Sequence, residues 1–138
     1  MNTTLLLRIA SVITLLFAFG HTMGSPWTPG PASVVEAMKS VSFDAMGSNR
    51  SYWDFYFGFG VNISVYMFAQ AAILWLLAGV AKTQTVSVRP FIIVLLAAYA
   101  VNGFVAWRHF FVLPIVLSVA MIICLALALV VSRPRVGT

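Results

Sequence analysis

Four apolar runs, each long enough to cross a bilayer as a helix, make up most of this 138-residue chain. A spanning helix needs about 20 predominantly apolar residues, and the runs fall at about 4–22, 52–80, 90–107 and 113–132. Backbone groups in hydrocarbon must satisfy one another, which leaves helices or a closed barrel. The runs are continuous rather than alternating, so helices are predicted. Composition agrees. Hydrophobic residues are 62% of the chain and charged residues 8%, whereas a soluble domain carries about 25% charged residues. So few charges cannot clothe a water-facing surface. The predicted fold is all-α, a bundle of four transmembrane helices forming one integral membrane domain over residues 1–138.

The connections set the order of the helices. Lys82 to Arg89 is a short polar turn, and Pro90 suits the first turn of the third helix, where a missing N–H breaks no intrahelical bond. Arg108 to Leu113 is room only for a tight hairpin, so the third and fourth helices are expected as antiparallel neighbours, with Pro114 opening the fourth and Arg133-Pro134-Arg135 closing it. Arg8 interrupts the first run and can snorkel from its first turns. A cleaved signal peptide competes there, because Ile9 to Phe19 has the length of an apolar core and Ala18-Phe19-Gly20 has cleavage-site spacing. Three leucines ahead of Arg8 argue for retention. Arg8, Lys82, Arg89, Arg133 and Arg135 fall on the side of the termini, against Lys39, Arg50 and Arg108 on the other. The positive-inside rule then predicts an inner (plasma) membrane protein with both termini cytoplasmic.

The first loop, residues 23–51, is the longest polar stretch. Gly24-Ser25-Pro26-Trp27-Thr28-Pro29-Gly30-Pro31 is expected to be irregular. Ser33-Val34-Val35-Glu36 has the pattern of a capping box. Val34, Val35, Met38, Val41 and Ala45 follow at helical spacing, and Gly47 offers a stop. The pattern predicts a short amphipathic helix, lying on the membrane or over the bundle mouth, or else a solvated loop helix.

All three acidic residues, Glu36, Asp44 and Asp54, fall between the first and second runs. Polar chemistry therefore concentrates around Asn49-Arg50-Ser51-Tyr52-Trp53-Asp54. Asp54, Gly58, Asn62, Tyr66 and Gln70 recur every fourth residue, near one face of the second helix. A polar stripe in hydrocarbon is expected to turn inward. Tyr99 and Asn102, three apart, suit the same interior, and His21 and Arg108-His109 stand at the outer ends of their helices. The candidate ligand-binding residues are His21, Asn49, Arg50, Trp53, Asp54, Asn62, Asn102 and Arg108. Asp54 and His21 are the candidate catalytic pair, since a histidine beside a carboxylate is poised for proton transfer.

Plainer roles compete for each. Ser51-x-x-Asp54 is a capping-box pattern, and Arg50 and Asp54 at i and i+4 suit an interfacial ion pair. Asn62 and Asn102 suit interhelical hydrogen bonds, and Gly58 and Gly60 suit close helix packing. Tyr52, Trp53, Phe55, Tyr56, Phe57 and Phe59 surround their helix as an interfacial belt, or line a greasy site for a flat ligand.

Several chemistries are excluded or disfavoured. Eight scattered cations make no nucleic-acid stripe. The single cysteine, Cys124, sits mid-run as a packing residue with no CxxC partner. No carboxylate or cysteine accompanies His21 or His109 at metal-ligand spacing, so no metal and no cofactor are predicted. Phosphate-binding glycine loops, HExxH and GxSxG are missing. No acid lies deep in a span, which weighs against a proton-driven exporter.

Phe17-Ala18-Phe19-Gly20-His21-Thr22, Met46 through Tyr56, and Ala106-Trp107-Arg108 together resemble a group of small bacterial four-helix membrane proteins. The resemblance spans nearly the whole chain and implies the fold, but the group lends no known activity. In plan, a bundle with an acid, a histidine, asparagines and aromatics near one mouth is also similar to sterol-isomerase-like membrane proteins, an analogy that transfers no residue. The leading expectation is a membrane protein binding a lipid or small lipophilic molecule at the outer mouth. The alternatives are an accessory subunit with a membrane-protein partner, and an isomerase-like acid/base enzyme.

Overall fold

The computed structural model describes residues 2–24, 27 and 30–133. Ser25, Pro26, Thr28 and Pro29 of the expected irregular stretch, and Pro134 and Arg135 of the expected helix stop, lie outside the described residues. The chain is all-α in character, with four long helices: α1 (Thr3–Gly24), α3 (Tyr52–Val80), α4 (Arg89–His109) and α5 (Val112–Val131). Between α1 and α3 lie a short helix α2 (Ala32–Ser40) and two strands, β1 (Ser42–Ala45) and β2 (Ser48–Ser51). All four long helices have the length and apolar composition to cross a membrane.

The long helices start and stop for local reasons. Asn2 accepts the Leu5 N–H on its Oδ1 at 2.8 Å, an N-cap for α1. Pro90 sits in the first turn of α4, where its fixed φ suits a helix start. Phe110 and Phe111 alone join α4 to α5, and both are extended. That short link folds the two helices into the expected antiparallel hairpin.

The chain divides into two compact units, residues 1–15 with 70–138 and residues 16–69. The first holds the principal core: Leu6, Leu7 and Ala10 of α1, Leu74 and Ala78 of α3, Val88 and Ile92 at the start of α4, and Met121, Leu125 and Ala128 of α5. Within hydrocarbon, close packing and interhelical hydrogen bonds hold helices together. Both occur here. A Cβ on Gly103 would stand 3.4 Å from the Ser118 Cβ, so α4 and α5 touch almost backbone to backbone. Ser11 donates from its hydroxyl to the Ala71 carbonyl at 2.7 Å. Tyr99 donates to Gln70 Oε1 at 3.0 Å, which leaves the Thr14 hydroxyl to donate to Tyr99 at 3.0 Å or to the Met121 sulfur at 3.6 Å. Arg89 reaches from the start of α4 to the end of α5, donating to the Leu129 carbonyl at 2.8 Å and to Ser132 Oγ at 3.1 Å. A cation on those last carbonyls satisfies them and opposes the negative end of the helix dipole.

The second unit departs from expectation in the first loop. α2 ends at Ser40 instead of running on through Val41 and Ala45. Its N-cap is Pro31, with no side-chain cap bond, so the Ser33–Glu36 capping box does not form; Ser33 lies inside the helix. Proline at that position is already extended, at φ −58° and ψ 140°, and launches the helix without a hydroxyl. Residues 42–51 then form an antiparallel hairpin with Ser42 opposite Ser51 and Ala45 opposite Ser48. Its two-residue turn places Met46 at φ 54° and Gly47 at φ 84°. Positive φ at both positions is the type I′ geometry that matches strand twist. The Gly47 N–H donates to Asp44 Oδ1 at 2.8 Å and secures the turn.

Candidate functional site

Aromatic side chains seat the first loop on the start of α3. Phe43 of β1 stacks on Phe55 with ring centroids 5.7 Å apart and leans on Tyr52 at 5.1 Å. Phe55 in turn meets Phe59. Tyr52, Phe55 and Phe59 share one helical face by their spacing of three and four. On a neighbouring face, Trp53 contacts Tyr56 and Phe57, and Phe57 meets Trp27 edge-on at 5.1 Å. Lys39 of α2 places its ammonium 4.9 Å over the Trp53 ring, a cation–π contact. Much of this cluster therefore holds α2 and the hairpin.

Each candidate residue of this unit has a definite place. Asn49 and Arg50 are exposed on β2, and Arg50 donates to the Asn49 carbonyl at 3.2 Å. Asp54 is exposed and engaged in a cap: its Oδ2 accepts the Ser51 N–H at 2.7 Å and the Ser51 hydroxyl at 2.9 Å. The Ser51 Oγ accepts the Asp54 N–H at 3.2 Å in return. The capping-box alternative for Asp54 is thus the one realised geometrically.

His21 is half-buried and pairs with Ser64, Nδ1 to Oγ at 3.1 Å. Ser64 stands about 15 Å along the α3 axis from Asp54, at about 1.5 Å per residue. The expected Asp54–His21 pair is therefore not assembled, because proton transfer needs contact directly or through one water. Ser64 also donates to the Gly60 carbonyl at 3.3 Å. With its proton there, Ser64 can only accept from His21, so the contact serves as an interhelical tie. Ser64 was not legible as a partner, being one hydroxyl in an apolar run; its registry with His21 arises from packing.

The polar stripe on α3 does not turn inward as a whole. Asp54, Gly58, Asn62 and Tyr66 are exposed, Tyr66 by 71%, and Gln70 is half-buried on Tyr99. A row four residues apart drifts around a helix of 3.6 residues per turn, so its members need not share one environment. Among the described residues the Asn62 side chain has no hydrogen-bond partner.

Asn102 and Arg108 belong to the other unit. Asn102 is exposed and reaches Ser118 Oγ at 3.4 Å, the interhelical role weighed against ligand contact. Tyr99, assigned to the same interior, is buried there, whereas Asn102 is not. Arg108 and His109 are exposed in the last turn of α4. Among the described residues no three His, Cys, Asp or Glu side chains gather in a metal-binding group.

Compared with known protein families, curated proteins and solved structures, the chain matches none. Function must therefore be argued from side chains. Two features beyond the candidate ligand residues bear on it: the Thr14–Tyr99–Gln70 network, in which Thr14 joins two residues of the expected polar interior, and Arg8. The Arg8 guanidinium lies 4.8 Å over the Trp75 ring, beside an open groove of about 370 Å³ lined by Arg8, Ile9, Val12, Ile13 and Trp75.

Proposed function

We propose that this is a multi-pass membrane protein acting as an accessory subunit, which packs the Asn62 face of α3 against a helix of a partner membrane protein. The observation that carries this reading is the Asn62 amide, exposed within a membrane-length helix and unpartnered among the described residues. An amide has two donors and an acceptor, and hydrocarbon satisfies none of them. Tyr66, one turn further on, offers a hydroxyl on the same outward side, and Gly58, one turn earlier, has open space where a Cβ would stand. A partner helix bearing Asn, Gln, Ser or Thr can approach closely there and complete those bonds. The setting proposed is the inner (plasma) membrane with both termini cytoplasmic, on the five-to-three division of Lys and Arg. The resemblance to small bacterial four-helix membrane proteins is compatible with this plan and lends no activity.

The expected lipophilic-ligand pocket of His21, Asn49, Arg50, Trp53, Asp54, Asn62, Asn102 and Arg108 has less behind it. Trp53, Asp54 and His21 are committed to Lys39, Ser51 and Ser64.

A photocrosslinking residue at Tyr66, with another at the exposed Leu76 as control, tests the accessory reading in cells. A discrete protein adduct at position 66, absent at 76 and lost on Asn62→Leu, is the expected result. An adduct of twice the chain mass makes the partner a second copy. Lipid adducts alone at both positions would remove the reading.

A further inference from the structure

We propose that Arg8 and the groove beside it bind one anionic phospholipid, with the phosphate on the guanidinium and an acyl chain along Ile9, Val12 and Ile13 against Trp75. The site uses none of the residues of the Asn62 face, and it rests on the membrane setting and orientation proposed above but not on the accessory role.

Arg8 has no counter-charge among the described residues of its own unit. Glu36, Asp44 and Asp54 all fall within residues 16–69, so the unit formed by residues 1–15 and 70–138 has basic residues and no acidic one. Arg89 is occupied with the end of α5, whereas Arg8 makes no hydrogen bond among the described residues. Its Nε is buried and unpartnered. Burying that side of a guanidinium is costly, and an anion on the accessible terminal nitrogens would offset the cost by neutralising the charge. The guanidinium carbon lies 4.8 Å over the Trp75 ring, and the two terminal nitrogens, neither buried nor bonded among the described residues, are the donors left for a phosphate.

Depth and shape name the anion as a lipid. Arg8 stands about 7.5 Å inside the start of α1 and Trp75 about 7.5 Å inside the end of α3, at about 1.5 Å per residue. A cation and a tryptophan at that level belong to the headgroup boundary of a bilayer. The other residues lining the groove are Ile9, Val12 and Ile13, which offer an acyl chain a seat and a soluble phosphate nothing. The cytoplasmic leaflet, where the positive-inside count directs this end, is rich in anionic lipid.

The full-length protein would be extracted mildly into mixed micelles of phosphatidylglycerol and phosphatidylcholine with matched chains, and bound lipid counted by native mass spectrometry. One phosphatidylglycerol is expected to be retained in preference to phosphatidylcholine. Arg8→Gln should weaken retention about tenfold, the loss carried by one charge-assisted hydrogen bond. Val12→Trp fills the groove from an exposed position, leaves Arg8 in place and should also displace the lipid. Lys39→Gln removes a charge from the other unit and should change nothing, as should Asn62→Leu, which separates this site from the accessory reading. Equal retention of the two lipids, or of phosphatidylglycerol by parent and Arg8→Gln, overturns the proposal. So does a polypeptide found at Arg8 in place of lipid.

Discussion

Ser51 and Asp54 exchange three hydrogen bonds at the start of α3, and two of them converge on a single oxygen, Asp54 Oδ2. One carbonyl-like acceptor is all that this cap requires of position 54. Asp54→Asn should therefore preserve the first turn, while Asp54→Ala should fray it and Ser51→Ala should cost about 1 kcal/mol. Amide hydrogen exchange at residues 51–54 reads this directly. Equal protection loss in Asn and Ala variants would show that the charge itself matters.

The buried Tyr99 hydroxyl links Thr14 to Gln70. Thr14→Val should lower stability by about 0.6 kcal/mol, the average for one interhelical hydrogen bond in a membrane protein, and Tyr99→Phe, which loses two, by about 1.2 kcal/mol. Because the two substitutions break one shared contact, the double variant should lose less than the sum. Steric-trap or denaturant unfolding in detergent supplies the cycle. Strict additivity would disconnect the two residues.

Space at Gly103 is limited by Ser118 and Ile122, whereas Gly20 has nothing near its absent Cβ. Gly103→Leu should overpack the α4–α5 contact and cost about 1–3 kcal/mol. Gly20→Ala should be neutral or gain up to about 1 kcal/mol through helix propensity. Melting of the two variants in the same detergent gives the comparison, and a stable Gly103→Leu protein would contradict the close approach.

The hairpin turn holds Met46, a residue poorly suited to its φ of 54°. Met46→Asn suits a type I′ turn and should slow proteolysis of residues 42–51, while Gly47→Val should accelerate it. Unchanged cleavage in both would mean that the aromatic seating on α3, rather than the turn, holds this loop.

The four long helices were legible without coordinates because hydrocarbon length and backbone pairing act on each run separately. Arg108 to Leu113 announced the α4–α5 hairpin, and Pro90 and Pro114 marked helix starts, since these signals are local. The Ser51–Asp54 cap was visible as a spacing of three. The first loop was not legible. Val34 to Ala45 carries a helical period, yet the chain turns back at Met46-Gly47 and Phe43 stacks on Phe55 and leans on Tyr52, contacts that no local pattern announces. Asn62 and Tyr99 are each polar interruptions in apolar runs, and the spacing rule assigned both inward. Tyr99 is buried as its spacing implies, but only packing chose Thr14 and Gln70 as its partners and left Asn62 outside. The exposed amide and the unpaired Arg8 guanidinium, on which the functional proposals rest, were likewise decided by tertiary structure. Composition selects the solvent and the helix lengths, but which side of a helix meets a neighbour depends on residues distant in the chain.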